Sequence, residues 1–257
     1  MNFDNRKLKI VCVIGTRPEA IKMAPIIKEL ENNIWAEVIV VRTSQHKELL
    51  DDVLNIFQIN PLFDLDVMTN NQDLSELSSK IISKFGFLMK KIKPGLIIAQ
   101  GDTTSAMAAA LVSFYQKIKF GHIEAGLRTG EMYNPFPEEV NRLIISKLAS
   151  FHFTPTNLTR DNLIKENIPK DNIFICGNTV IDSLIKTLSI KYKAEIDIDK
   201  KFILVTVHRR ENLDKLRYIF SGLKISANKN SNINFIFLIH PNPKINNLAR
   251  EYLGSIN

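Results

Sequence analysis

Leu8-Lys9-Ile10-Val11-Cys12-Val13-Ile14 runs into Gly15-Thr16-Arg17-Pro18-Glu19, after which Ala20 to Leu30 places apolar residues at helical spacing, with Pro18 near the start. An apolar run, a glycine turn and an amphipathic segment opened by proline read as strand, loop and helix. The order recurs. Ala36 to Val41 precedes a helical pattern over His46 to Phe57, Leu96 to Ala99 precedes Thr104 to Tyr115, and Phe120 to Ile123 precedes Glu138 to Ala149. Strands alternating with helices predict an α/β fold built on a parallel, doubly wound sheet. In such a sheet the loops that follow the strands form the rim where ligands bind.

Those loops hold the charged clusters. Gln100-Gly101-Asp102-Thr103-Thr104 follows one apolar run, and Gly121-His122-Ile123-Glu124-Ala125-Gly126-Leu127-Arg128-Thr129-Gly130 ends another. Pro137-Glu138-Glu139-Val140-Asn141-Arg142 opens the next helix. Acids, arginines and glycines gathered at one rim read as an enzyme site.

With 257 residues, 45% of them hydrophobic, the chain can bury one large core or two modest ones. A formal charge of +7 and a pI near 9.3 favour an anionic partner. The basic residues are scattered without an aromatic-interleaved stripe, so a phosphate-bearing small molecule fits better than a nucleic acid, and most lysines read as solvated surface. Cys12 lies inside an apolar run and Cys176 precedes Gly177, which suggests neither a metal site nor a disulfide framework. Met1 to Lys9 is polar, and the apolar run after it is too short for a signal peptide or a membrane span. The expectation is a cytoplasmic protein with no membrane partner.

A further strand, Ile173 to Cys176, precedes Gly177-Asn178-Thr179-Val180-Ile181-Asp182, and the lysine-rich stretch Lys191 to Lys201 follows. The domain boundary is placed near Cys176, giving a Rossmann-like domain over 1–176 and part of a second over 177–257. The latter holds a strand over Phe202 to Val207, a helix over Leu213 to Ala227 and a strand over Asn234 to Ile239. Two core strands do not complete a doubly wound domain.

Each cluster has a plain structural reading beside the chemical one. Gly15 to Ala20 puts a glycine, a hydroxyl and Arg17 before a helix N-terminus, which suits a phosphate or diphosphate and equally an ordinary capped helix. It is neither the Gly-x-Gly-x-x-Gly pattern nor a P-loop, and Arg42-Thr43-Ser44-Gln45-His46 replaces the acid that would hold a ribose, which argues against NAD. Asp102 has the commoner use of capping the next helix. Glu124 shares a strand face with His122 and is flanked by Gly121 and Gly126, which favours function. Glu138 and Arg142 have the spacing of a surface ion pair, and Glu139 reads as a solvated first-turn acid. Several acids in one cleft suit proton transfer at carbon, because their proton affinities are driven apart. His208-Arg209-Arg210-Glu211-Asn212 offers donors for a diphosphate, or else a solvated basic turn with a rim histidine. His46, His122 and His240 are too scattered for a metal site.

Taken in order, these motifs resemble the non-hydrolysing UDP-N-acetylglucosamine 2-epimerases. The resemblance runs from Gly15-Thr16-Arg17-Pro18-Glu19-Ala20-Ile21-Lys22-Met23-Ala24-Pro25 through Gln45-His46, the Asp102 and Glu124 segments, Pro137 to Arg142 and Gly177 to Asp182, to His208-Arg209-Arg210-Glu211. It implies two Rossmann-like domains in the glycosyltransferase-B arrangement, the second incomplete. It also implies inversion at C2 of UDP-GlcNAc to give UDP-ManNAc, by elimination and re-addition of UDP, with no metal or nicotinamide. The catalytic group it implies is Asp102, Glu124, Glu138 and His208, with Arg17 and Arg142 joining His208 at the diphosphate and Lys22 nearby. Gln45, His46, Gln72, Arg209 and His240 match the region of an activating second UDP-GlcNAc. A homodimer and a role in surface-polysaccharide synthesis are further implications. Members of the family continue past Asn257 with Gly-Gly and Glu-Glu segments that grip the nucleotide, so the expectation is a weak or inactive epimerase with a poorly stable second domain. The competing readings are an epimerase of another UDP-amino sugar, a hydrolysing relative, or a noncatalytic fragment that binds nucleotide sugar.

Overall fold

A computed structural model describes residues 7–43, 47–69, 72–190, 201–207, 210–239 and 243–254. The chain divides into two compact units, 1–190 and 191–257. The first contains β1 (Leu8–Ile14), α1 (Arg17–Glu31), β2 (Ala36–Arg42), α2 (Lys47–Phe57), β3 (Phe63–Asp64), α3 (Leu74–Ile92), β4 (Leu96–Gln100), α4 (Thr104–Tyr115), β5 (Lys119–Ile123), α5 (Glu138–Leu148), β6 (Phe151–Thr154), α6 (Asn157–Lys165), β7 (Ile173–Ile175) and α7 (Val180–Leu188). Its sheet has the order β3-β2-β1-β4-β5-β6-β7, and each pairing is parallel. The α/β class and the parallel sheet are as the sequence predicts. The chain works outward in one direction from β1 and in the other from β4, so the order reverses between these two neighbours, and the switch point lies there.

Alternation along the strands explains the two layers, since successive side chains leave a strand on opposite faces. Ile10, Cys12, Ile14 and Val40 pack under α1 and α2. Val11, Val13, Ile39 and Val41 pack under α3 and α4, with Ile97 and Phe120. Helix α3 and the β6–α6 unit are additions to the sequence reading. The signal for α3 is the buried stripe Leu77, Ile81, Phe85 and Met89 at four-residue intervals, interrupted to the eye by serines, lysines and Gly86.

Helix α7 lies in the first unit because it is fastened to α1. Pro25 sits inside α1 and has no N–H to give to the carbonyl of Ile21, four residues earlier. The hydroxyl of Ser183 donates to that carbonyl instead, and Thr179 Oγ1 donates to Lys22 O at 2.6 Å. The sequence reading separates the domains at Cys176; compactness separates them at Ile190, one helix later.

The second unit contains β8 (Phe202–Thr206), a 3-10 turn (Arg210–Lys215), α8 (Leu216–Lys229), β9 (Asn234–Leu238) and α9 (Pro243–Leu253). β8 and β9 pair in parallel. Among the described residues its buried cluster is small, formed by Leu216, Phe220, Ile245 and Ala249, with Phe237 edge-on to Phe220 at 5.4 Å.

Candidate active site

All strands of the large sheet are parallel, so the turns after β1, β4 and β5 emerge at one edge. At the switch point, Glu19 joins two of them. Its Oε2 accepts from the N–H groups of Gly15 (2.9 Å) and Thr16 (2.5 Å), and its Oε1 accepts from Thr103 Oγ1 at 2.6 Å. Burial raises the Glu19 pKa, and these hydrogen bonds oppose the rise without cancelling it. The two amides that could meet an anion before α1 are therefore filled from within, as in a capping box. Arg17, the first residue of α1, stays exposed.

Thr103, not Asp102, caps α4, since Thr103 Oγ1 accepts from Ala106 N at 3.1 Å. The Asp102 carboxylate turns to Arg142, whose Nε and Nη2 both reach Oδ2, at 2.8 and 2.6 Å. Asn141 Nδ2 donates to the Asp102 carbonyl at 2.8 Å. Arg142 Nη1 donates to Glu139 Oε2 at 2.8 Å, and Glu139 Oε1 accepts from Thr129 N and Gly130 N at 2.9 and 3.1 Å. Burial would raise the Glu139 pKa, but these hydrogen bonds and the Arg142 charge hold it below the ordinary value. For Arg142, burial acts downward and the charges of Asp102 and Glu139 prevail, raising its pKa.

This corrects two expectations. Glu139 is not a solvated first-turn acid: it is 2% exposed and held at the centre of a chain of charged groups. The ion pair on α5 joins Arg142 to Glu139, three residues away, because Glu139 faces inward with it.

Glu124 follows β5 directly, with φ 64, a left-handed backbone that a non-glycine residue rarely adopts. Its Oε2 accepts from Lys22 Nζ at 2.5 Å and from Gln100 Nε2, and its Oε1 accepts from Asn178 Nδ2 at 2.6 Å. Donors from α1, β4 and the turn before α7 thus fix one carboxylate. Gly101 N donates to Ile123 O at 3.0 Å, which stitches the Asp102 turn to the Glu124 turn. Gly126 must be glycine: its φ is 87, and a Cβ there would lie 2.1 Å from Thr159 O. His122 sits beneath, with Nε2 2.7 Å from Gly101 O; burial pushes its pKa down to about 3, so the ring is neutral and Nε2 carries the proton given to Gly101.

Glu138 Oε2 is buried and has no hydrogen-bond partner among the described residues. Gln72 is half-buried and accepts from Thr69 N at 3.1 Å. Gln45, His46, His208, Arg209 and His240 lie outside the described residues. The sequence reading missed Gln100 and Asn178 as partners of Glu124; the turns they sit on were visible, the contacts were not. Among the described residues, no three His, Cys, Asp or Glu side chains are grouped to hold a metal ion, and no helix is long and apolar enough to cross a membrane.

A doubly wound parallel sheet with carboxylates fixed at its switch-point edge, followed by a second parallel α/β unit, defines a Rossmann-type α/β protein of the glycosyltransferase-B kind. The family model described as UDP-N-acetylglucosamine 2-epimerase matches residues 28–257. A UDP-N-acetylglucosamine 2-epimerase of Campylobacter jejuni is 46% identical over 265 residues, covering 97% of this chain and 69% of the relative. The crystal structure of UDP-GlcNAc 2-epimerase from Neisseria meningitidis bound to UDP-GlcNAc superposes with a TM-score of 0.87 at 42% identity, covering 97% of this chain and 71% of that one. The S. aureus MnaA–UDP co-structure gives 0.88 at 42% identity, covering 96% and 67%. The chain belongs to the UDP-N-acetylglucosamine 2-epimerase family. It spans about 70% of the length of these relatives.

Proposed function

We propose that this chain is a UDP-N-acetylglucosamine 2-epimerase that interconverts UDP-GlcNAc and UDP-ManNAc without a metal or nicotinamide. The observation that carries the reading is the pairing of two fixed carboxylates, Asp102 and Glu124, on stitched neighbouring turns at the switch-point edge, in a chain of this family. Glu138, with a buried oxygen that no described residue satisfies, adds a third acid. One of these carboxylates takes the proton from C2. The C1–O bond to UDP breaks, its electron pair stays on UDP, and the C2–H pair becomes the C1=C2 bond of a glycal. UDP oxygen then attacks C1 again while an acid returns a proton to the opposite face of C2. Fixed carboxylates favour such a step because little reorganisation is left at the moment of proton transfer.

Arg142 is engaged by Asp102 and Glu139, so its part in this reaction is to set the Asp102 carboxylate beside the diphosphate rather than to grip the diphosphate alone. Arg17, exposed at the start of α1, and His208 complete the diphosphate set in this reading, and Gln45, His46, Gln72, Arg209 and His240 an activating site. The same reading carries a cytoplasmic homodimer supplying surface-polysaccharide synthesis, with exposed Phe87 on α3 and Phe114 and Tyr115 on α4 as its dimer face.

The test is incubation with UDP-GlcNAc in deuterium oxide, followed by NMR at C2. Deuterium entering C2 of both epimers is the expected result. UDP-GlcNAc that binds yet keeps its C2 proton would overturn epimerisation in favour of a noncatalytic binding protein.

A further inference from the structure

We infer that Glu139 is a positioning residue, which acts through Arg142 to orient the Asp102 carboxylate and at the same time pins the Thr129–Gly130 loop to the site. The inference rests on the reading of Asp102 as a reacting acid or base. Its physical basis is the division of labour between the two oxygens of one buried carboxylate. Oε1 accepts two backbone N–H groups of the loop, and Oε2 accepts Arg142 Nη1. A carboxylate 2% exposed is tolerable only with such partners, so each bond is under strong constraint.

A guanidinium is a flat, rigid fork. Holding Nη1 at Glu139 therefore fixes the direction of the opposite edge, and it is that edge, Nε and Nη2, that meets Asp102 Oδ2. The neighbouring Asn141 holds the carbonyl of the same aspartate. Consecutive residues of α5 thus grip Asp102 by side chain and by backbone, and Glu139 is the anchor behind the side-chain grip. The described hydrogen bonds of the Glu139 carboxylate are to the loop and Arg142, so its effect on the reaction passes through the arginine.

Glu139→Gln in the full chain is the decisive variant. It is isosteric and keeps an oxygen for the loop amides, but it removes the anion facing Arg142. Loosening an oriented catalytic group costs on the order of 100-fold in rate, so C2 exchange should lose about 10- to 100-fold in kcat with KM changed by less than about 3-fold. In an Asp102→Asn background the same substitution should change kcat by less than about 2-fold, because the group it acts on is gone. Equal losses in both backgrounds, or a loss confined to KM, would overturn the inference.

A second arm needs no turnover. In protein labelled with 15N-arginine, the Arg142 Nε–H signal, assigned by its loss in Arg142→Lys, should be distinct and slow to exchange with water, and in Glu139→Gln it should shift and exchange faster, because Asp102 alone then holds the guanidinium. A signal unmoved by Glu139→Gln overturns the clamp whether or not the enzyme turns over. Wild-type protein that fails to exchange C2 sinks the epimerase reading instead, and the two failures are thereby separated. Should Glu139→Gln not fold, Glu139→Asp retains the charge but is one carbon short of spanning loop and arginine. It should show the same kcat loss and signal shift, and unchanged values there count against the inference equally.

Discussion

At the scale of the residue, burial decides which ionisable groups respond to pH. His122 and His152 lie side by side in register on β5 and β6, and burial lowers their pKa values to about 3 and about 4. Both are neutral when folded. In the unfolded chain a histidine binds a proton below about pH 6.5. The unfolded state therefore holds more protons between about 6.5 and 4, and stability falls as pH drops through that window, by up to about 1.4 kcal/mol per pH unit for each histidine. Urea melts at pH 7.0, 5.5 and 4.5 should show this, with a shallower dependence in His122→Asn; an unchanged dependence would exclude His122 as a source. The motif around His122 and Glu124 was legible in the sequence, because a strand-end carboxylate among glycines has no packing role. The neutral state of the ring was not, since it depends on what surrounds the strand. Asp102 and Glu139 show the same limit. Either can cap a helix or face solvent by local rules, and only the meeting of α4 and α5 commits both to Arg142.

Between elements, Pro25 and Ser183 form a matched pair. The proline deprives Ile21 O of its helical donor, and the serine of α7 restores one. Ser183→Ala leaves a carbonyl without that donor and should cost about 1 to 3 kcal/mol. In a Pro25→Ala background, where residue 25 has an N–H again, the cost should shrink, and denaturant melts of the four proteins give the coupling directly. Additive losses would show that the two residues act independently. Pro25 by itself reads as a helix breaker, yet α1 runs on from Arg17 to Glu31. Sequence periodicity found α1 correctly because its buried stripe outweighs one missing hydrogen bond, while α3 escaped it because serines, lysines and a glycine dilute its stripe.

Across the whole molecule, the two units differ in what they bury. Among the described residues, the first has two large clusters, one on each face of its sheet, whereas the second has a small cluster under a pair of strands. Burial scales with stability, so the second unit should melt first. Trp35, the single tryptophan, lies in the first unit and serves as its reporter. In a urea titration, far-UV circular dichroism should begin to fall before Trp35 fluorescence changes; coincident curves would mean one cooperative unit. The sequence alone determined the α/β class, the parallel sheet and the edge on which charged residues collect, because hydrophobic periodicity and glycine turns are local properties written in the order of residues. The tertiary structure alone decided which donors each carboxylate meets: Glu124 with Lys22, Gln100 and Asn178, and Asp102 with Arg142 and, behind it, Glu139. These partners are distant along the chain or compete with local caps, and the choice among them is made only when the sheet brings their turns to one edge.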